Sequence, residues 1–315
     1  MPERFTLTPE RYAQVARFAL WTLALIVLTG AAVRVTGSGL GCPTWPKCTQ
    51  TSLYTELNTH GVIEFGNRVL TSVVGFAAFA AFVGAFGRRP YRKDLMLLGA
   101  MLPLGVLAQI VLGGFTVLYD LAPGFVMSHY LLSMVILIAA VALDWRAHRE
   151  PGDEPVTTDR RLGWGVRALV GLGAVTIFAG TAATAAGPHA GGAGTGDVIK
   201  RLDWKGSETL NFVVSQHSKL AAALGVLAVA LWVLARRRGA SARQRRALTV
   251  VCVLLAIQGA VGAAQYELEL PAEIVWVHVA LAAGTWVALL FTVANFGRLE
   301  PRPAQAPGGS EAAPA

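Results

Sequence analysis

The chain has 315 residues, 54% of them hydrophobic and only 15% charged, with a mean hydropathy of +0.51. A domain folded in water carries nearer a quarter charged residues, so this composition excludes an ordinary water-soluble globular protein. The net charge of +8 does not mark a nucleic-acid surface, because the basic residues sit in short segments between long apolar runs.

Those runs lie at about 16–34, 61–86, 94–117, 126–144, 163–186, 210–235, 247–265 and 273–296. Several approach or exceed the roughly 20 residues that cross a bilayer as helix. The expected fold is an all-α integral membrane protein with eight transmembrane helices. The first run, from about Phe18, is long and follows a polar start, so it is expected to stay as a helix and not to be cleaved as a signal peptide. Residues 300–315, rich in Pro, Ala and Gly, are expected to form a disordered tail.

With the N-terminus inside the cell, the inner segments carry 19 Lys and Arg residues. The outer segments carry 5, namely Arg34, Lys47, Lys200, Arg201 and Lys205. That bias follows the positive-inside rule and predicts a plasma-membrane protein with both termini in the cytoplasm.

The chain repeats itself. GAAVRVTG at Gly30–Gly37 returns as GTAATAAG at Gly180–Gly187, 150 residues on. Gln109-x-x-x-Gly113 leads to His129, and Gln258-x-x-x-Gly262 leads to His278, an offset of 149. In both copies a proline-containing turn, at Pro123 or Pro271, lies between the Gln and the His. Four spans per copy make the repeats parallel, related by an axis along the membrane normal. Two pseudo-symmetric four-helix bundles are therefore expected, over 1–150 and 151–299.

Of six histidines, His148 lies among charges in an inner loop and reads as a surface residue; the other five map to the outer half. His217 lies about seven residues into the sixth span and His278 near the outer start of the eighth. Seven residues are roughly 10 Å of helix. Two imidazoles facing each other across a four-helix bundle are what a six-coordinate b-type haem needs, and this pair is the candidate. In the first half His129 matches His278, but the counterpart of His217 is Asn67, a poor iron ligand. That half has instead Glu64, where the second has Val214. His60, Glu64 and Asn67 are spaced i, i+4, i+7 and share one helix face. A carboxylate at that depth is costly unless paired or used; Arg68 and Arg34 are its candidate partners.

These residues resemble the haem A synthase family over nearly the whole chain. The resemblance rests on VRVTGSGLGCPTWPKC after the first span, IEFGNR in the second, QIVLGGFTV leading to His129, GPHAG after the fifth, and the second Gln-to-His pattern. It implies an enzyme that oxidises a methyl group of haem O to the formyl group of haem A for terminal oxidases. It further implies a resident haem b in the C-terminal bundle, with axial ligands His217 and His278, and the substrate haem in the N-terminal bundle near His129. Glu64 matches the functionally important carboxylate. Asn67 departs from the family pattern, as does Lys219 in HSK, where Arg commonly follows. Two readings of the first site stand: His60 supplies the second iron ligand, or His129 binds alone. The second is favoured because an open iron position can admit oxygen.

In the same comparison Cys42 and Cys48, in an outer loop on the oxidising side, match a pair found in some members. A disulfide is expected, either redox-active or purely structural. Arg34 and Arg68 are candidates for haem propionates, with salt-bridge roles equally open. Haem O synthase and an electron donor are the implied membrane partners, and homo-oligomers remain open. Two other classes compete: a b-haem electron carrier, which calls for two near-equal bis-histidine sites, and a haem transporter or chaperone without turnover.

Overall fold

The computed structural model describes residues 6–55, 57–192 and 199–299; the expected tail at 300–315 lies outside them. All eight helices are present: α1 (Pro9–Val35), α2 (Thr59–Gly87), α3 (Lys93–Leu118), α4 (Pro123–Ala147), α5 (Arg160–Ala186), α6 (Thr209–Arg237), α7 (Ala242–Glu267) and α8 (Ala272–Phe296). Each is long and apolar enough to cross a membrane, and the protein is a multi-pass membrane protein. Several helices run a turn past the apolar segments, because side chains at their ends satisfy the free backbone donors of the first turn. Thr8 accepts from Arg11 N–H, with Pro9 in the first helical position. Asn58 accepts from Gly61, and Ser241 and Gln244 cap each other's backbone reciprocally.

α1 to α4 close into one ring of four helices and α5 to α8 into another. The rings meet where α1 packs on α8, α4 on α5, and α4 on α8 at the pseudo-twofold axis. Two indoles cross this seam: Trp286 donates to the Met134 carbonyl and Trp276 to the Leu28 carbonyl, both at 3.0 Å. A short parallel pair, β1 (Val156–Thr157) with β2 (Arg298–Leu299), ties the linker between the halves to the end of α8. The repeat is visible in the backbone as well. The α3–α4 turn holds Asp120 and Leu121 at positive φ, and the α7–α8 turn holds Glu269 and Leu270 likewise. Such left-handed conformations are uncommon outside glycine, so their recurrence 149 residues on marks one turn copied twice.

The largest buried apolar cluster lies toward the end that carries the described termini. It joins Ala81 and Ala85 of α2, Leu95 of α3 and Leu143 of α4 to Val166 of α5, Leu248 of α7 and Phe296 of α8. Charges tie the same end together: Arg17 pairs with Asp144 at 3.2 Å, and the fully buried Arg88 with Glu150 at 2.9 Å. His148, expected as a surface residue, is exposed there, and its Nδ1 meets the Asp144 carbonyl at 2.8 Å. At the opposite end only two small apolar clusters occur among the described residues. Each ring is thus plugged with alkyl side chains at one end and lined with glycine, amide and imidazole at the other.

The seam should be measurable. Trp286→Phe keeps a six-membered aromatic ring but removes the bond to Met134 and leaves a small cavity in the core, which should lower stability by about 1–3 kcal/mol. Thermal unfolding of detergent-solubilised protein checks this; an unchanged melting temperature would show that the bond contributes nothing.

Candidate functional site

Three imidazoles at the open end are seated the same way. His129 on α4 lies against Gly113 of α3, His217 on α6 against Gly180 of α5, and His278 on α8 against Gly262 of α7. A Cβ added at these glycines would fall 3.2, 3.0 and 3.0 Å from the ring Cε1. In each case Nδ1 is the next nearest ring nitrogen. The glycine is a slot for the Nδ1–Cε1 edge, which leaves the Nε2 edge directed away from the neighbouring helix. The two Gln residues of the repeat complete the seat: Gln109 Nε2 donates to the His129 carbonyl and Gln258 Nε2 to the His278 carbonyl, both at 3.0 Å.

In the second bundle the seats face each other. The His217 and His278 ring centroids are 6.2 Å apart with planes inclined at 75°. Two metal–imidazole bonds of about 2 Å plus the two ring radii add to roughly that span, so the pair can hold one iron between them. His217 Nδ1 meets the Thr176 carbonyl at 3.0 Å, which makes Nδ1 the protonated nitrogen and leaves the Nε2 lone pair free for a metal. His278 Nδ1 is buried without a protein partner. Among the described residues no group of three or more His, Cys, Asp or Glu converges. The donor set is therefore a bis-imidazole pair, which suits an iron whose other four ligands come from a porphyrin.

The first bundle is built differently at the equivalent positions. Asn67 does not lie against Gly30 as His217 lies against Gly180; nothing comes within 4 Å of a Cβ placed at Gly30. The Asn67 Oδ1 instead accepts from the Thr29 hydroxyl at 2.8 Å. Glu64, 6% exposed, pairs with Arg68 at 2.6 Å, so Arg68 is its partner and not Arg34. Its other oxygen accepts from Cys42 N–H at 2.7 Å. Arg68 also donates to the carbonyls of Cys42, Thr44 and Lys47 at 3.0, 3.1 and 3.2 Å. These bonds commit its guanidinium to the loop and weigh against a propionate role. The loop is closed by the Cys42–Cys48 disulfide, and its Trp45 ring lies on Gly114 of α3, beside the seat of His129. His60 Nδ1 bonds to the Ser38 hydroxyl at 2.9 Å, which ties that ring to the same loop.

Across the axis the outer loops are laced together. Gly39 N–H donates to the Gly191 carbonyl at 2.9 Å, Arg34 Nε to the His189 carbonyl at 3.2 Å, and His189 Nε2 meets the Leu270 carbonyl at 2.7 Å. His189 is therefore a staple between loops. Sequence reasoning placed the histidines but missed Thr29, Thr176 and the seating glycines. The glycines carried a legible signal, since Gly30, Gly113, Gly180 and Gly262 recur at the repeat offset.

The family described as cytochrome oxidase assembly protein (COX15-CtaA) matches residues 14–290. The chain belongs to this family, the haem A synthase family. Relatives named haem A synthase include those of Lysinibacillus sphaericus and Geobacillus kaustophilus. The first is 26% identical over 162 residues, covering 50% of this chain and 53% of the relative. The second is 30% identical over 131 residues, covering 40% and 41%. A Thermus thermophilus protein named protohaem IX farnesyltransferase is 27% identical over 284 residues, 86% of this chain but 46% of that protein. The chain spans about half the length of the relatives it matches.

Two outcomes follow for this member of the haem A synthase family. Gly180→Ala or Gly262→Ala forces a methyl against an imidazole; overpacking of this kind costs about 1–3 kcal/mol and should weaken the affinity of the bis-imidazole pair for added haem about tenfold or more. Gly284→Ala, whose added Cβ meets nothing within 4 Å, should leave that affinity unchanged. A Soret titration of purified variants reads both. Separately, Arg68→Ala releases three loop carbonyls and strands Glu64, so dithiothreitol should reduce Cys42–Cys48 several-fold faster. Equal rates would mean that the guanidinium does not hold the loop.

Proposed function

We propose that the chain is a haem A synthase, an oxidoreductase that converts the ring methyl of haem O to the formyl of haem A for terminal oxidase assembly. The observation that carries this reading is the inequality of two sites built at the same repeat positions. One bundle offers two facing imidazoles; the other offers one imidazole, an amide and a buried carboxylate. A simple electron carrier would call for two equal pairs. Haem b held by His217 and His278 would supply one-electron transfer.

The chain's own residues divide the remaining work. The Thr176 carbonyl keeps His217 in the metal-binding tautomer, while Gly180 and Gly262 fix the planes of the two rings. His129 presents its Nε2 edge to the iron of the substrate, haem O, and the amide at Asn67 leaves the opposite side without an imidazole. Glu64 stands one turn from Asn67 and can hold or release a proton beside the reacting methyl. Arg68 pairs with it and keeps the disulfide loop over the bundle mouth, where Trp45 closes against α3 and limits the entry of water. The end bearing the termini and the basic loops is assigned to the cytoplasm, so both sites open toward the outer face of the plasma membrane. A haem O synthase is the natural membrane partner, since one relative carries the name protohaem IX farnesyltransferase. An electron donor is the other.

Acid extraction of haems from cells lacking the gene, and from cells overproducing it, tests the reaction. Haem A should vanish in the first and rise in the second; an unchanged level in the deletion strain would remove the enzyme reading. At the residue level, His217→Ala and His278→Ala should each abolish the resident haem b spectrum. Glu64→Ala should retain that spectrum and lose product.

A further inference from the structure

The fourth seat of the repeat differs from the other three in a specific way. His217 reaches across from α6 to the Thr176 carbonyl of α5. At the same place in the first half, the Ile26 carbonyl of α1 is approached at 3.2 Å by the Thr29 hydroxyl, which bonds to Asn67 at 2.8 Å. The second half has Ala179 at the position of Thr29. Thr29 and Asn67 therefore change together between the copies, and the hydroxyl bridges the gap that the shorter amide leaves. A hydroxyl has one proton, and the shorter contact assigns it to the Asn67 Oδ1. The amide oxygen of Asn67 is thereby turned to Thr29, and no described residue accepts from the Asn67 Nδ2. At Gly30, next to Thr29 in the chain, an added Cβ meets nothing within 4 Å, whereas at Gly180 it meets His217.

We propose that the corner formed by Thr29, Gly30 and Asn67 is a binding site for a neutral diatomic molecule, dioxygen in function, with Asn67 as hydrogen-bond donor and not as iron ligand. The inference rests on the reading of the N-terminal bundle as the substrate haem site. Size supports it: asparagine has two heavy atoms fewer than histidine, so replacing the ring frees the room of a diatomic. Chemistry supports it as well, because ligand choice on the open side of a haem follows the access and hydrogen-bond donors found there. Thr29 is a positioning residue in this account: it fixes which end of the amide faces the site.

The probe is carbon monoxide, added to reduced full-length protein in detergent after loading with haem O, and read by the infrared C–O stretch and by flash photolysis. The bis-histidine site should not take the gas, so a single population is expected, in the N-terminal bundle. Asn67→Ala should move the stretch to higher wavenumber, as loss of a donor does, and should speed carbon monoxide release several-fold. Asn67→His should abolish binding and give a second six-coordinate low-spin signal. Thr29→Val should split the stretch into two bands as the amide turns freely. The His217–His278 Soret band serves as the folding control for every variant. A normal Soret band with no carbon monoxide adduct in the unmodified protein would overturn the open site. A stretch unmoved in Asn67→Ala, or moved to lower wavenumber, would overturn the donor role. In either case the haem A synthase reading would stand. Absence of any Soret band would sink both.

Discussion

The contact on which the rest depends is a flat ring lying edge-on against a helix that has no Cβ at that point. Helices in a bundle approach closely only where side chains are small, and an imidazole aimed at the bundle centre needs a slot for its inner edge. Gly113, Gly180 and Gly262 provide it. Each slot settles three things together: the plane of the ring, the nitrogen that is hidden, and the nitrogen left for chemistry. The Gln side chains then hold the backbone of the helix that carries the ring.

A duplicated scaffold can diverge in function without diverging in fold when the changes fall on such seats. Both halves keep the same ring of helices and the same left-handed turn. They differ where Asn67 stands for His217, Glu64 for Val214 and Thr29 for Ala179. These three substitutions alter ligand count, charge and hydrogen bonding while leaving packing almost untouched, because the apolar core lies at the far end of both bundles. Stability and chemistry are thus segregated along the membrane normal.

The two open ends are not independent. Glu64 and Arg68 bind the disulfide loop of the first half, and the stretch just before that loop donates through Gly39 to Gly191 of the second. His189 carries the link onward to the α7–α8 turn through Leu270, a few residues from His278. A chain of backbone and side-chain bonds therefore joins the mouth of one bundle to the turn that positions the other's imidazole.

Hydropathy, the positions of Lys and Arg, and the 149–150-residue repeat were enough to read eight spans, two copies and the placement of five histidines at one end. These are properties of composition and order, and each helix in a membrane must satisfy its own backbone, so they survive without knowledge of packing. The partner of Glu64 was narrowed to two arginines, and only the folded chain chose Arg68. Which end of the Asn67 amide bonds to Thr29, why His217 exposes Nε2, and why His60 is tied to Ser38 were decided by neighbours 22 to 41 residues away. Such contacts depend on the rotation and separation of adjacent helices. That geometry is set by interhelical packing, which one-dimensional periodicity does not contain.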